Sequence, residues 1–201
     1  MKRLAIAVSA IILVVAAMQS FAAAAETNLQ LNIGDKFIEG RVDVKPKPDT
    51  YPLSVGGGFI VSDNNPDYWL GNVNFSLQDE VFVPALSLGL GLKGVFGRSD
   101  FATGDRDTFA LPIEFLVGYD FRKSSVNIPV SLFGSLAYAP SALSFSDTDE
   151  YFETYTTASF HINYYASVYV GYRKLVIDYK AGGRNDELDD DAWLIGVKFS
   201  F

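Results

Sequence analysis

Apolar and polar side chains alternate with period two along most of this chain, from Asn28 to its last residue. Period two belongs to strands, because successive side chains of an extended backbone point to opposite faces. The stretch Asp107–Phe121 states it most clearly. Phe109, Leu111, Ile113, Phe115, Val117, Tyr119 and Phe121 share one face; Thr108, Ala110, Pro112, Glu114, Leu116, Gly118 and Asp120 share the other. The first face is wholly apolar, and the second is small, polar or charged. A strand of a soluble sandwich also alternates, but its polar face meets water and rarely collects glycine. A wall with hydrocarbon on one side and an enclosed polar interior on the other requires the mixture seen here.

The pattern recurs. Leu86, Leu88, Leu90 and Leu92 oppose Ser87, Gly89, Gly91 and Lys93. Val126, Ile128, Val130, Leu132 and Leu136 oppose Asn127, Ser131 and Ser135. Ala158, Phe160, Ile162 and Tyr164 oppose Tyr155, Thr157, Ser159, His161 and Asn163. Val168, Val170 and Tyr172 oppose Tyr169, Gly171 and Arg173. The alternation slips near Lys174, which predicts a β-bulge, and Leu175, Ile177 and Tyr179 resume it. Residues 53–61 and 68–77 form a weaker pair. Residues 28–33 and 37–44 flank Gly34-Asp35-Lys36, a tight turn.

These segments predict an all-β protein: a transmembrane, antiparallel, up-and-down β-barrel of about ten strands. The number falls to eight if the first two segments stay outside the sheet. Each approaches the ~9–11 residues of a tilted membrane strand. Connections alternate in length, with short turns at 78–80, 122–125 and Tyr164–Tyr165. Longer loops are expected at 62–67, 97–107, 140–150 and 181–191, as in outer-membrane barrels. The residues before Leu53 make a long periplasmic connection. At the C-terminus Trp193, Ile195, Val197, Phe199 and Phe201 share a face against Leu194, Gly196, Lys198 and Ser200. Pairing this strand with the first leaves no unsatisfied edge in lipid. Ile195, Val197, Phe199 and Phe201 also have the form of a C-terminal signal for the outer-membrane assembly machinery.

The other end names the compartment. Lys2 and Arg3 precede an apolar run to Ala17, and Ala22–Ala25 supply small residues for cleavage, so residues 1–25 read as a signal peptide and 26–201 as the barrel. Without Lys2 and Arg3, 14 Lys+Arg face 24 Asp+Glu, a formal net charge of −10. So acidic an exported protein is a poor partner for nucleic acid, which requires cationic patches. The chain has no cysteine, which excludes a disulfide framework and thiolate metal sites.

Residues 132–179, with Tyr138-Ala139-Pro140, then Ser141–Asp147, a Tyr-rich strand, Val168–Arg173 and the terminal aromatic strand, resemble the YfaZ-type outer-membrane proteins. Residues 28–44 and 51–65 are similar to that family's opening. The resemblance implies an integral outer-membrane β-barrel of a Gram-negative, porin-like kind. It implies no catalytic residue, ligand or cofactor.

On this register Lys93, Glu114, Arg173, Lys198 and His161 face the lumen as a charge network. Lys93 and Glu114 come from neighbouring strands and are placed to form a salt bridge. Buried charges must pair or stay hydrated. His161 is the only histidine and lies on one face with Ser159, a pairing that invites hydrolysis or acyl transfer. Its expected place near the periplasmic end, away from the outer leaflet, favours a lumen hydrogen bond instead. Asp186–Asp191, with Asp147, Asp149 and Glu150, makes the external loops acidic, at spacings that match no calcium loop. Outward Trp69, Tyr138, Tyr172, Trp193 and Phe201 are placed as a membrane girdle. No metal site or cofactor is expected. The expected role is a non-enzymatic structural or binding barrel, meeting outer-membrane lipids, lipopolysaccharide and the assembly machinery. A narrow channel for small solutes or ions and a lipid-modifying enzyme are the alternatives.

Overall fold

The computed structural model describes residues 25–46, 52–181 and 184–201. The expected leader, Ala25 apart, and most of the connection before Leu53 lie outside the described residues. The strands are β1 (Ala25–Gly34), β2 (Phe37–Pro46), β3 (Leu53–Ser62), β4 (Asp67–Glu80), β5 (Leu86–Phe101), β6 (Gly104–Ala110), β7 (Ile113–Asp120), β8 (Val130–Ala139), β9 (Ser144–Ser146), β10 (Thr148–His161), β11 (Ala166–Ala181) and β12 (Arg184–Ser200).

All pairings are antiparallel, and the order β4-β3-β2-β1-β12-β11-β10-β8-β7-β5 closes on itself through β4–β5. This is a barrel of ten strands, with β6 and β9 as two extra segments. β6 and β7 share one register against β5: Val95 opposes Ala110 and Leu92 opposes Ile113. Pro112 divides them. It has no N–H to donate to the ladder, though its carbonyl still accepts from Lys93 N at 2.9 Å. Pro140 likewise ends β8, a 3-10 turn spans Ser141–Leu143, and β9 then pairs with β6. The first two segments are inside the sheet. β1 pairs with β12, and its end is sealed by reciprocal 2.9 Å bonds between the Thr27 and Phe201 backbones.

The wall changes character along its height. In the lower part, where the chain ends lie, Val168, Val170, Ile195 and Phe199 are exposed on the outside, while Ser167, Tyr169 and Leu194 point inward and are buried. Higher up, the inward positions are Leu175, Ile177, Tyr179 and Leu188, all buried. The outward positions there are Lys174, Val176, Asp178, Lys180, Asn185, Glu187, Asp189 and Asp191, mostly charged. The lower barrel is apolar outside and polar inside, as lipid demands. The upper barrel is apolar inside and charged outside, like a soluble protein.

That inversion explains three departures from expectation. There is no bulge at Lys174: β11 keeps a single register against β12 from Ala166↔Phe199 to Ala181↔Arg184. What changes there is the chemistry of the faces, while the backbone pairing runs on. Most of the expected external loops are strand. β5 and β6 are joined by Ala102 and Thr103 alone, and β12 has 17 residues, well beyond the ~9–11 a membrane requires. The Asp186–Asp191 run is therefore wall and not loop, with Leu188 and Asp190 buried inside. The short turns also shift: residues 78–80 belong to β4, and the chain reverses over 81–85.

Candidate functional site

The lumen holds a cavity of about 650 Å³ among the lower strand ends. Its mouth is ringed by Glu26, Lys45, Glu80, Asp120, Arg122 and His161, and its inner end by Arg41, Asn72, Lys93, Glu114 and Tyr155. Glycine makes room for it. A Cβ on Gly58 would approach Arg41 Cγ to 3.1 Å and Asn72 Nδ2 to 3.0 Å, so β3 presents bare backbone over which those side chains lie.

Above the cavity the lumen is filled. Arg41 Nε donates to Glu39 Oε1 at 2.6 Å, and Arg41 Nη2 lies 3.6 Å from Glu153 Oε1. Lys93 Nζ pairs with Glu153 Oε2, which also accepts from Tyr151 Oη at 2.7 Å. Asn32 Nδ2 donates to Glu39 Oε2 at 2.8 Å, and the Arg41 guanidinium sits 4.2 Å from the centre of the Tyr155 ring. Two anions and two cations thus neutralise one another in a layer where single charges would be costly. A second group stands beside it. Arg173 Nη2 donates to Asp190 Oδ2 at 3.0 Å and to Tyr68 Oη at 2.6 Å, and its guanidinium lies 4.2 Å from the centre of the Phe37 ring. The upper interior is the apolar core of Tyr151, Leu175, Ile177, Tyr179 and Leu188. Tyr179 Oη contacts Ser99 Oγ at 2.9 Å and Thr108 Oγ1 at 2.8 Å, and Arg106 Nη2 pairs with Asp186 at 2.6 Å.

A family model described as YfaZ precursor matches residues 1–201. The chain belongs to this family. No curated protein matches it. Among solved structures, the outer membrane protease OmpT from Escherichia coli superposes with a TM-score of 0.50 at 11% identity, over 89% of this chain and 93% of that one. The NanC porin gives 0.49 at 14% identity, over 89% and 100%, and the KdgM porin 0.42 at 10%, over 88% and 99%. At such identities the OmpT likeness bears on fold alone. With the family and the closed barrel it makes this chain an integral β-barrel of the outer membrane.

The five residues expected in the lumen all point inward in this YfaZ-family barrel, but they do not form one network. Lys93, Glu114, His161 and Lys198 line the cavity, while Arg173 lies higher. Lys93 pairs with Glu153 on β10 instead of the expected Glu114: it stands opposite Pro112, just before β7, not opposite Glu114, and its side chain reaches across the lumen. His161 Nε2 meets Ser131 Oγ at 2.9 Å, in place of Ser159. Ser131 lies on β8, diagonally across the β8–β10 ladder. Trp69, Tyr138, Trp193 and Phe201 are exposed on the outer wall, and the Tyr172 ring lies 5.4 Å from that of Trp193. Ile195, Val197 and Phe199 face outward on β12.

Sequence reasoning missed Glu39, Arg41, Glu153 and Asp190. The signal was parity: Glu39 and Arg41 alternate with Ile38 and Val42, and Glu153 shares its face with Tyr151 and Tyr155. Asp190 was hidden inside an acidic run that reads as solvated.

Proposed function

We propose that this protein is a non-conducting, non-enzymatic binding or structural barrel, open only to the periplasm. The filled lumen above the cavity carries this reading. A charge-neutral layer and then an apolar core occupy the space through which a solute would pass. Ten strands lie near the eight-stranded case, where side chains fill the interior, and far from the sixteen or more that leave a water channel. The outer half projects beyond the lipid as an acidic wall, suited to lipopolysaccharide bridged by divalent cations or to a partner outside the cell. Trp69, Tyr138, Tyr172, Trp193 and Phe201 serve as the interfacial girdle. Ile195, Val197, Phe199 and Phe201 serve as the signal read during assembly, after removal of the leader 1–25.

Against catalysis, Asp120 stands opposite Ser131 in register but is engaged by Arg122, whose Nη2 donates to it at 2.7 Å. Among the described residues no acid is hydrogen-bonded to the imidazole to orient it in the Ser131–His161 contact. Planar-bilayer recording of the folded protein tests the reading. No conductance step above background is expected, and regular single-channel steps would overturn it.

A further inference from the structure

The cavity contains charged side chains that no hydrogen bond or ion pair engages directly among the described residues. Lys198, on β12, makes no hydrogen bond or ion pair among the described residues, although it points into the lumen. Glu114, on β7, likewise makes none, and its carboxylate lies over Gly91, where a Cβ would stand 3.3 Å from Oε2. Three strands, β8, β10 and β11, separate β7 from β12 one way round the ring, and five separate them the other way. This cation and anion therefore sit on nearly opposite walls. Between them, on β4, the Asn72 amide also makes no side-chain hydrogen bond among the described residues, and it carries both donors and an acceptor. Lys93, Arg41, Arg122 and Lys123 are committed to Glu153, Glu39, Asp120 and Glu80, while Lys45, close to Lys198 on the cavity wall, is a second cation without an ion pair among the described residues.

A cation, an opposed anion and a free amide are the complement of a short unblocked peptide. From this we infer that the cavity binds a small zwitterionic peptide from the periplasm. Its C-terminal carboxylate meets Lys198, its N-terminal ammonium meets Glu114, and an internal peptide group meets Asn72. The volume, about 650 Å³, falls within the ~300–1,000 Å³ of small-ligand sites. Each charged contact replaces water on a group with no direct hydrogen-bond partner of its own, in a confined space that strengthens charge-assisted hydrogen bonds. The inference rests on the blind, periplasm-facing lumen proposed above.

The test is calorimetric titration of the folded full chain in detergent micelles with trialanine. Trialanine amide, N-acetyl-trialanine and the doubly blocked peptide serve as comparison ligands. Trialanine is expected to bind saturably, and each single block to weaken it roughly tenfold or more, the size of one charged hydrogen bond. Lys198→Met is expected to abolish discrimination between acid and amide while keeping that between amine and acetyl. Glu114→Gln is expected to do the reverse. No saturable heat with trialanine, or equal affinity for the doubly blocked peptide, would overturn the inference. The ligand series on the unaltered protein decides the matter even where a variant fails to fold. A silent bilayer without peptide binding sinks the ligand and leaves the closed barrel standing. A conducting bilayer sinks the closed barrel itself.

Discussion

Arg173 and Asp190 meet across the β11–β12 ladder at 3.0 Å with their side chains 2% exposed, so an ion pair is sealed inside the barrel. Tyr68 Oη completes the group at 2.6 Å from Arg173 Nη2. The pair stands where the polar lumen gives way to apolar core. It ties the terminal strands to β4 on the far side, since Tyr68 also donates to Asp190.

Breaking this pair from one side strips a buried charge of its direct ion-pair partner. Asp190→Ala is expected to lower stability by about 3–5 kcal/mol. Replacing both partners with apolar side chains of similar volume, Arg173→Met with Asp190→Leu, should recover most of that loss. Urea unfolding in micelles, followed by tryptophan fluorescence, measures both. A double variant as unstable as the single one would show that the pair contributes more than mutual neutralisation.

The upper barrel should respond to mutation as a soluble protein does. Ile177 is 0% exposed in the apolar core. Ile177→Ala is expected to cost about 2–5 kcal/mol through lost contacts and the cavity left behind. Its neighbour Asp178 points to the outside, and Asp178→Ser should change stability by less than about 0.5 kcal/mol. The same unfolding assay distinguishes them.

These two positions also show what the sequence makes legible. The facing of Leu175, Ile177 and Tyr179 follows from period two alone, as does the barrel itself. The bulge inferred at Lys174 arose from assuming one environment along the whole strand. Parity fixes which residues share a face, but it does not say whether lipid or water lies beyond that face. The change becomes visible only when β11 and β12 are seen to continue in register past Tyr172 and Trp193. The partner of Lys93 was illegible for a related reason. Glu114 is near along the ladder, whereas Glu153 reaches Lys93 through the lumen, at a distance that no local pattern encodes.

Removing the lone histidine tests the absence of chemistry. His161 Nε2 and Ser131 Oγ are 2.9 Å apart in a cavity open to water. A hydrogen bond in that position contributes about 0.5–1.5 kcal/mol, and solvent replaces part of it. His161→Ala should therefore leave the barrel folded, with at most that loss. Outer-membrane lipid composition, measured by mass spectrometry in cells carrying the variant, should match the wild type. A changed acyl pattern would restore the enzymatic alternative.

Arginine placed along the outer face of β12 should locate the lipid boundary. Val197 opposes Leu31 on β1 and Val168 on β11, so apolar neighbours flank it on both sides. Trp193 is 74% exposed beside Tyr172, at the level where outward side chains turn acidic. Asp189 lies beyond that level, 3.6 Å from Lys174. A charge facing the middle of the bilayer costs about 2–4 kcal/mol in a barrel, falling to about 0–1 near the interface. Val197→Arg should carry the full cost and Trp193→Arg a smaller one. Asp189→Arg should lose only what its exposed ion pair contributes, about 0–1 kcal/mol. Unfolding of the three variants from lipid vesicles supplies the measurement. Equal losses at all three positions would mean that hydrocarbon covers the acidic wall, and the division of the barrel at Trp193 would be wrong.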